Sequence, residues 1–375
     1  MIHQAQRTGM RIGWIGLALF LTMEISFAQT GRGVQTFVPS ESQIKLEEAM
    51  TVLREADDIR KVAPEAERLM RDAIASDSKQ TRAYYNLVVL LLRTDRKLEA
   101  KRVLDEALKN NPDFGDGIAL MALMQESQDR GEVSSYYQNA LKADPMSAVA
   151  NNHMASLAIE KSDWQGAILH SRKALVGNPE SLNAYLNMAM SYYRQGQFDL
   201  AILVCRSGLR HDGNNATLLN LEGLILLKKD EVKEALARFN KAVAADPANL
   251  EARLNAGALT LNYNDFQSAL GHFDAAAQID SSHREAILSK GVALRGLERY
   301  DEALAVFQDA RKRFPEEARA QYNLCILRHE HMNQYDLALV ACKAFASLID
   351  EKHGKFEEMK KRIAGIESTI EALKE

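Results

Sequence analysis

The sequence predicts an all-α solenoid, in which about nine helix–turn–helix repeats are followed by a C-terminal capping helix. Three observations support this fold class. Residues recur with a fixed period, small side chains recur within each period, and the 375-residue chain contains only 20 glycines and 7 prolines. Architectures built from many strands and turns normally need more glycine and proline. Spacing and composition therefore indicate the same class.

Prolines, and the residues that replace them, recur every 33 or 34 residues at Pro112, Pro145, Pro179, Gly213, Pro247, Ser281 and Pro315. A period of about 34 residues is typical of a helix–turn–helix repeat. When each repeat is numbered from its first residue, position 8 holds a small residue in six repeats: Ala155, Ala189, Gly223, Gly257, Gly291 and Cys325. Small residues there allow two antiparallel helices to approach closely, and the proline prevents the second helix from continuing.

The residues within each period follow one pattern, shown most completely by Ala235, Phe239, Ala242 and Pro247. With this pattern the segment 47–352 resembles the tetratricopeptide-repeat family. The predicted repeats are 47–80, 81–114, 115–147, 148–181, 182–215, 216–249, 250–283, 284–317 and 318–352, the last with one extra residue near Met332–Gln334. The resemblance implies a right-handed superhelix whose concave groove is lined by the first helix of each repeat.

Asparagine and tyrosine recur at positions 5 and 6, which the resemblance places along the groove. The candidate peptide-binding residues are Tyr85, Asn86, Asn152, Asn187, Asn220, Asn255, Tyr322 and Asn323. An Asn side chain has a donor and an acceptor, so it can pair with the backbone of an extended segment of any sequence. Alternatively, these asparagines bond between neighbouring helices and the tyrosines pack there. No repeat has the Lys at position 5 that the carboxylate clamp of chaperone-binding members requires, which disfavours that route of peptide capture.

The first 28 residues have the three parts of a secretory signal peptide. Arg7 and Arg11 precede an apolar run from Ile12 to Met23, and Ala28 ends a small-residue cleavage site. The run is shorter than the roughly 20 apolar residues of a membrane span, although an uncleaved N-terminal anchor is an alternative. We therefore expect a signal peptide over 1–28, a leader over 29–46, and a periplasmic or secreted mature chain. No Cys lies near the cleavage site, which disfavours a lipoprotein.

The C-terminal segment 353–375 departs from the repeat pattern. Its apolar residues are spaced three and four apart at Phe356, Met359, Ile363, Ile366, Ile370 and Leu373. This heptad stripe predicts an amphipathic helix. The stripe either caps the exposed face of the last repeat or pairs two copies of the chain in a short coiled coil over 356–373.

The chain contains three cysteines, Cys205, Cys325 and Cys342. The last two belong to facing helices of one repeat, so a disulfide between them is conceivable in an oxidising compartment. The two cysteines are offset by about one helical turn and so do not face each other directly. This offset favours two buried thiols instead. His329 and His331 follow no metal-binding spacing, and no metal or other cofactor is predicted. The sequence contains no familiar catalytic motif, and no enzyme activity is predicted.

The charge balance limits the class of partner. With 47 basic and 51 acidic residues the formal net charge is −4, which argues against a nucleic-acid binder because that function needs a strongly basic face. The predicted function is a protein–protein interaction scaffold of the cell envelope. It would hold a partner segment in the groove, within a secretion, pilus or motility machine, and would meet the membrane only through that complex. A periplasmic peptide-binding, chaperone-like module and a regulator of an envelope enzyme are alternatives.

A narrower resemblance concerns two segments of the last repeats. The segments 291–297 and 322–327 are similar to repeat proteins associated with the gliding-motility machinery of myxobacteria. Those proteins are envelope scaffold components, so this resemblance implies the same class of function. The missing lipidation Cys departs from the lipid-anchored members.

Overall fold

A computed structural model describes residues 39–56, 58–125 and 130–374 of the chain. Within these residues the structure contains nineteen α-helices and one π-helical turn, with no strand. The prediction of an all-α solenoid built from helix pairs is confirmed. The predicted signal peptide over 1–28, and the predicted leader as far as residue 38, lie outside the described residues.

The chain divides into an N-terminal body that ends at Gly213 and a C-terminal body that begins at Asn214. The helices of the N-terminal body are α1 (Glu41–Arg54), α2 (Ile59–Ser76), α3 (Thr81–Arg93), α4 (Lys97–Asn110), α5 (Gly115–Gln125), α6 (Arg130–Ala143), α7 (Ala148–Glu160), α8 (Trp164–Gly177), α9 (Leu182–Arg194) and α10 (Phe198–Leu209). Those of the C-terminal body are α11 (Ala216–Lys228), α12 (Val232–Ala245), α13 (Leu250–Asn262), α14 (Phe266–Ile279), α15 (Arg284–Gly296), α16 (Tyr300–Arg313), α17 (Ala318–Ile326), the π-helical turn Leu327–His331, α18 (Tyr335–Leu348) and α19 (Phe356–Ala372). We call the first helix of each repeat its A helix and the second its B helix. Within each body, A and B helices of one repeat pack together, and A helices of neighbouring repeats are in contact.

Five of the A helices begin at a side chain that caps their first turn in the same way. The last residue of the preceding repeat accepts a hydrogen bond from the third backbone N–H of the helix at Ser147, Ser181, Asn215, Asn249 and His283. Such a cap satisfies one of the N–H groups that have no partner within the helix. The repeat period thus fixes where these five A helices start.

In seven of the repeats, the A helix turns into its B helix through one residue with left-handed backbone. The φ angles at position 15 lie between 58° and 73° at Asp95, Ser162, Gly196, Asp230, Asn264 and Glu298. In the last repeat this residue is Asn333, at position 16. The π-helical turn Leu327–His331 precedes it, and a π-helical turn accommodates one added residue in an α-helix. The extra residue that the sequence places near Met332–Gln334 is therefore absorbed just upstream.

Replacing Gly196 with alanine is expected to destabilise the N-terminal body by about 1 kcal/mol, because alanine at positive φ is strained. The φ of Gly196 is 73°, and a Cβ there would meet no atom within 4 Å, so backbone strain is the only new effect. Gly271 is the matched control, since it lies inside α14 and a Cβ there would also meet nothing. Gly271→Ala should stabilise by about 0.5–1 kcal/mol. Urea denaturation of both variants measures the two signs, and two changes of the same sign would contradict the assignment.

The A and B helices of a repeat meet at positions 8 and 24, where the sizes of the two residues compensate. Gly223, Gly257 and Gly291 face Phe239, Phe273 and Phe307, and a Cβ added at Gly223 would lie only 2.5 Å from Phe239 Cε1. Where position 8 is Ala155 or Ala189, position 24 is the smaller Ser171 or Cys205, all of them buried. The repeats therefore fill the same space with size-matched pairs, three with Gly and Phe and two with Ala and a smaller partner, as close packing requires.

The first repeat begins earlier than the sequence analysis predicts. Helix α1 starts at Glu41, so residues 41–46 of the predicted leader 29–46 are helical. The reason is a capping box, in which the Ser40 hydroxyl accepts from the Gln43 N–H and the Gln43 side chain accepts from the Ser40 N–H. The predicted boundary at residue 46 is therefore wrong.

The C-terminal helix α19 packs against the last repeat. Met359 and Ile366 are fully buried, and Ile363 and Ile370 pack half-buried against the same core. A salt bridge of 2.7 Å between Lys343 and Glu367 joins α19 to α18. The inner part of the stripe is thus used inside the chain and is not available for a coiled coil in this conformation. Among the helices described, none is both long and apolar enough to cross a membrane.

Candidate functional site

Two predicted groove residues of the N-terminal body, Tyr85 and Asn86, are buried in α3. Every residue of α3 from 83 to 91 is buried, and Tyr85 belongs to a hydrophobic core that extends from α1 to α5. Burial also raises the pKa of the Tyr85 hydroxyl. The prediction that these two residues line an open groove is therefore wrong, because α3 is buried on every face from residue 83 to residue 91.

Two further predicted residues, Asn152 and Asn187, link neighbouring A helices of the N-terminal body. The Asn152 amide donates to the Ser181 hydroxyl at 2.8 Å, and the Asn187 amide donates to the Asn152 backbone carbonyl at 3.2 Å. Both residues are half-buried. Both amides therefore donate to partners within the chain.

The predicted asparagines of the C-terminal body behave in the same way. The Asn255 amide donates to the Asn220 side-chain oxygen at 2.9 Å, joining α13 to α11. Asn323 donates to the Arg319 carbonyl at 2.9 Å and accepts from Arg295 at 3.3 Å. Of the two roles left open for the asparagines, the structure thus favours bonding between helices.

Tyr322 is half-buried on α17. Its ring lies 5.2 Å from the Phe345 ring, and the Lys355 ammonium lies 5.7 Å from its centroid. Tyr322 therefore contributes to interhelix packing while part of it stays open to solvent.

A row of half-buried aliphatic side chains lies on the A helices of the C-terminal body. This apolar row consists of Leu224, Leu227, Leu254, Leu261 and Val292. The residues occupy positions 5, 9 and 12, which are three, four and seven apart and so lie on one face of a helix. The row was not among the predicted groove residues, all of which are asparagine or tyrosine. Its signal in the sequence is the recurrence of aliphatic residues at these three positions.

Arg295 follows the apolar row at position 12 of α15. Its guanidinium donates to the Asn323 side-chain oxygen at 3.3 Å, and no ion pair of Arg295 occurs within the described part of the chain. Burial lowers the pKa of Arg295, while Tyr322 and Glu330 act in the opposite direction. Glu330 itself is bonded to Arg362 at 2.5 Å. The face therefore combines apolar surface with one cation that lacks a bonded carboxylate.

Cys325 and Cys342 form a disulfide that joins α17 to α18. Their Cα atoms are 4.9 Å apart, within the range that a disulfide requires. The expectation of two separate thiols, based on poor opposition, is wrong because positions 8 and 24 are in direct contact in this fold. The Cys325 sulfur also lies 3.7 Å from the Met359 sulfur of α19. Cys205 is buried in α10.

The two histidines of the last repeat are engaged in contacts within the C-terminal body. The Arg362 guanidinium donates to His329 Nδ1 at 3.0 Å, and His331 stacks on Tyr300 at 4.8 Å. Burial, followed by the charge of Arg362, lowers the pKa of His329. In the described ranges, no three His, Cys, Asp or Glu side chains converge as a metal site would need.

Acidification is expected to destabilise the N-terminal body through His153, which stacks on the buried Tyr137 at 3.8 Å. Burial lowers the pKa of His153 to about 4. Because the unfolded chain takes up this proton at about pH 6.5 and the folded chain only near pH 4, stability is full above pH 6.5 and falls as the pH drops between them. His153→Phe keeps the stacking and should remove about 2–3 kcal/mol of this pH dependence. Thermal melts of both proteins from pH 7 to pH 4 test this, and parallel curves would contradict it.

Comparisons with known proteins place the fold. Tetratricopeptide-repeat family models match residues 81–114, 154–216, 220–283 and 288–344. The Cut9–Hcn1 hetero-tetramer of the APC/C is similar in structure, with a TM-score of 0.57 and 16% identity, over 85% of this chain and 62% of that one. YrrB, a TPR protein with an unusual peptide-binding site, has a TM-score of 0.40 and 24% identity, over 50% of this chain and 96% of that one.

Among curated proteins, the human protein O-mannosyl-transferase TMTC3 is 24% identical over 189 residues, which is 49% of this chain. The match spans only 21% of the length of TMTC3. The family models together cover more than half of the chain. The chain therefore belongs to the tetratricopeptide-repeat family, whose members bind proteins and peptides.

Proposed function

We propose that this chain is an interaction scaffold whose C-terminal body binds a short segment of another protein along the apolar row. The half-buried state of that row carries the proposal. Leu254, Leu261 and Val292 pack against the core on one side and remain partly open to solvent on the other. Covering such side chains with a partner removes further apolar surface from water, which is the main driving force of association.

The chemistry of the face indicates the chemistry of the segment. The bound segment should carry apolar side chains that cover the row. It should also carry one carboxylate, because Arg295 lies beside the row without a carboxylate bonded to it. A guanidinium binds a carboxylate through two parallel hydrogen bonds, which would set the register of the segment. The asparagines would then position the A helices of the face and not contact the segment.

We extend the proposal to the cell envelope, where the scaffold would belong to a larger assembly such as a secretion, pilus or motility machine. Two observations support an exported protein. The first 28 residues follow the pattern of a signal peptide, and the Cys325–Cys342 disulfide is of a kind that persists in oxidising compartments. N-terminal sequencing of the protein from its own cells should find Gln29 as the first residue. An intact Met1 together with reduced cysteines would contradict export.

Binding can be tested with a displayed library of peptide segments selected on the full chain. Leu261→Ser and Arg295→Ala should each weaken the selected segments about tenfold. Leu169→Ser, which changes an exposed leucine of α8, is the matched control and should leave binding unchanged. Enriched segments should contain an acidic residue among apolar ones. Weak binding of unrelated segments, equal for all variants, would contradict the scaffold and favour the chaperone-like alternative.

A further inference from the structure

The last repeat buries a guanidinium that lacks a counter-ion. Arg328 lies in the π-helical turn and is 6% exposed. Its Nη1 donates to the Leu337 carbonyl of α18 at a long 3.4 Å, and its Nε has no hydrogen-bond partner. Burying a charged group without a partner is unfavourable by several kcal/mol, so such an arrangement calls for an explanation.

The other repeats show that this charge is not a requirement of the fold. Arg328 occupies position 11, which holds Leu91, Tyr192, Leu226, Thr260 and Leu294 in five of the other repeats. Those side chains are uncharged, and four of the five are apolar or aromatic. The chain therefore places a cation where its own repeats normally pack an uncharged side chain, and it does so within a π-helical turn, a feature frequent at functional sites.

The electrostatic surroundings of Arg328 favour the binding of an anion. Four other arginines of the same body, Arg238, Arg284, Arg319 and Arg362, each have a carboxylate oxygen within 3.3 Å. Across the described residues, no carboxylate pairs with Arg328, and the positive charge of Arg311 in α16 adds to burial in lowering its pKa. The repulsion between two positive charges that have no acidic residue to balance them would be relieved by an anion bound at Arg328.

We propose that Arg328, assisted by Arg311, forms a binding site for an oxyanion. The group would be a carboxylate or a phosphate, because both present the paired oxygens that a guanidinium binds with two hydrogen bonds. The site is separate from the apolar row, which uses positions 5, 9 and 12 of earlier repeats. The proposal of an anion site and the proposal of segment binding can therefore be refuted independently. Bound anion would stabilise the last repeat and link α16, α17 and α18.

Thermal melting of the full chain in chloride, acetate and phosphate at equal ionic strength tests the site. The wild-type chain should melt several degrees higher in at least one of the two oxyanions than in chloride. A response to phosphate alone identifies a phosphate group, and a response to acetate identifies a carboxylate. Arg328→Met should lose the response and, in chloride, should melt no lower than the wild-type chain, because an unpaired buried charge has been replaced by an apolar side chain.

Two further variants separate this site from a general salt effect. Arg311→Met should reduce the response, and it keeps the test open should Arg328→Met fail to fold. Arg313→Met is the matched control, since Arg313 is paired with Asp309 at 3.3 Å on the same helix and should respond like the wild-type chain. An equal response in all four proteins, or no response in the wild-type chain, would overturn the proposal.

Discussion

Replacing both Cys325 and Cys342 with alanine is expected to lower the free energy of unfolding of the C-terminal body by about 3 kcal/mol. The two cysteines are 17 residues apart, and closing a loop of about this length restricts the unfolded chain by roughly that amount. Both sites are fully buried, so the substitution by alanine removes only one sulfur from each. Urea denaturation followed by circular dichroism measures the loss.

A chemical control distinguishes the bond from the packing of its sulfur atoms. Reduction of the wild-type chain should reproduce most of the loss, whereas the double variant should not respond to reductant. Both measurements are best made with Cys205→Ala as the background, because Cys205 then contributes no thiol chemistry. Should reduction leave the wild-type chain unchanged while the double variant is weakened, the sulfur packing, including the 3.7 Å contact with Met359, would be responsible instead.

The fold could be predicted because the repeats place similar residues at equivalent turn and interface positions. The sizes of the residues at positions 8 and 24 vary inversely. Gly291 pairs with Phe307, whereas the larger Ala189 pairs with the smaller Cys205, and this compensation is visible in the sequence. The same two positions hold Cys325 and Cys342 in the last repeat, so comparison between repeats would also have predicted the disulfide. The prediction of two separate thiols was wrong because it did not use the size match between positions 8 and 24 in the other repeats, which shows that these two positions are in contact.

The candidate site was less predictable, because exposure at a given position differs between repeats. Position 5 is buried at Tyr85, half-buried at Tyr322, and occupied by the aliphatic Leu254 in between. The amide of Asn187 can bond a peptide or a neighbouring helix equally well by its chemistry, and only the geometry of α7 and α9 decides between them. Arg328 is still less evident, because the sequence does not reveal that a cation at position 11 is buried.

The contact between Gly291 and Phe307 should be strongly coupled, which a double-mutant cycle can measure. Phe307→Cys alone is expected to cost about 3–4 kcal/mol, because it opens a cavity at a fully buried position. Gly291→Ala alone should cost about 1–3 kcal/mol, because its Cβ would overlap the Phe307 ring. Together the two changes recreate the Ala189 and Cys205 pair, in which the overlap is absent. The double variant should therefore be more stable than the sum of the single losses by at least about 1 kcal/mol.

The control for this cycle uses a glycine whose added methyl group meets nothing. Gly271→Ala lies on α14 in open space, so its effect should add to that of Phe307→Cys without coupling. Additivity in both cycles would show that the size match at positions 8 and 24 does not determine stability, and that the repeat tolerates overlap by shifting its helices. Coupling in the first cycle alone would show that each repeat selects its pair by volume. That selection explains why one repeat can hold a disulfide at positions where three others hold glycine and phenylalanine.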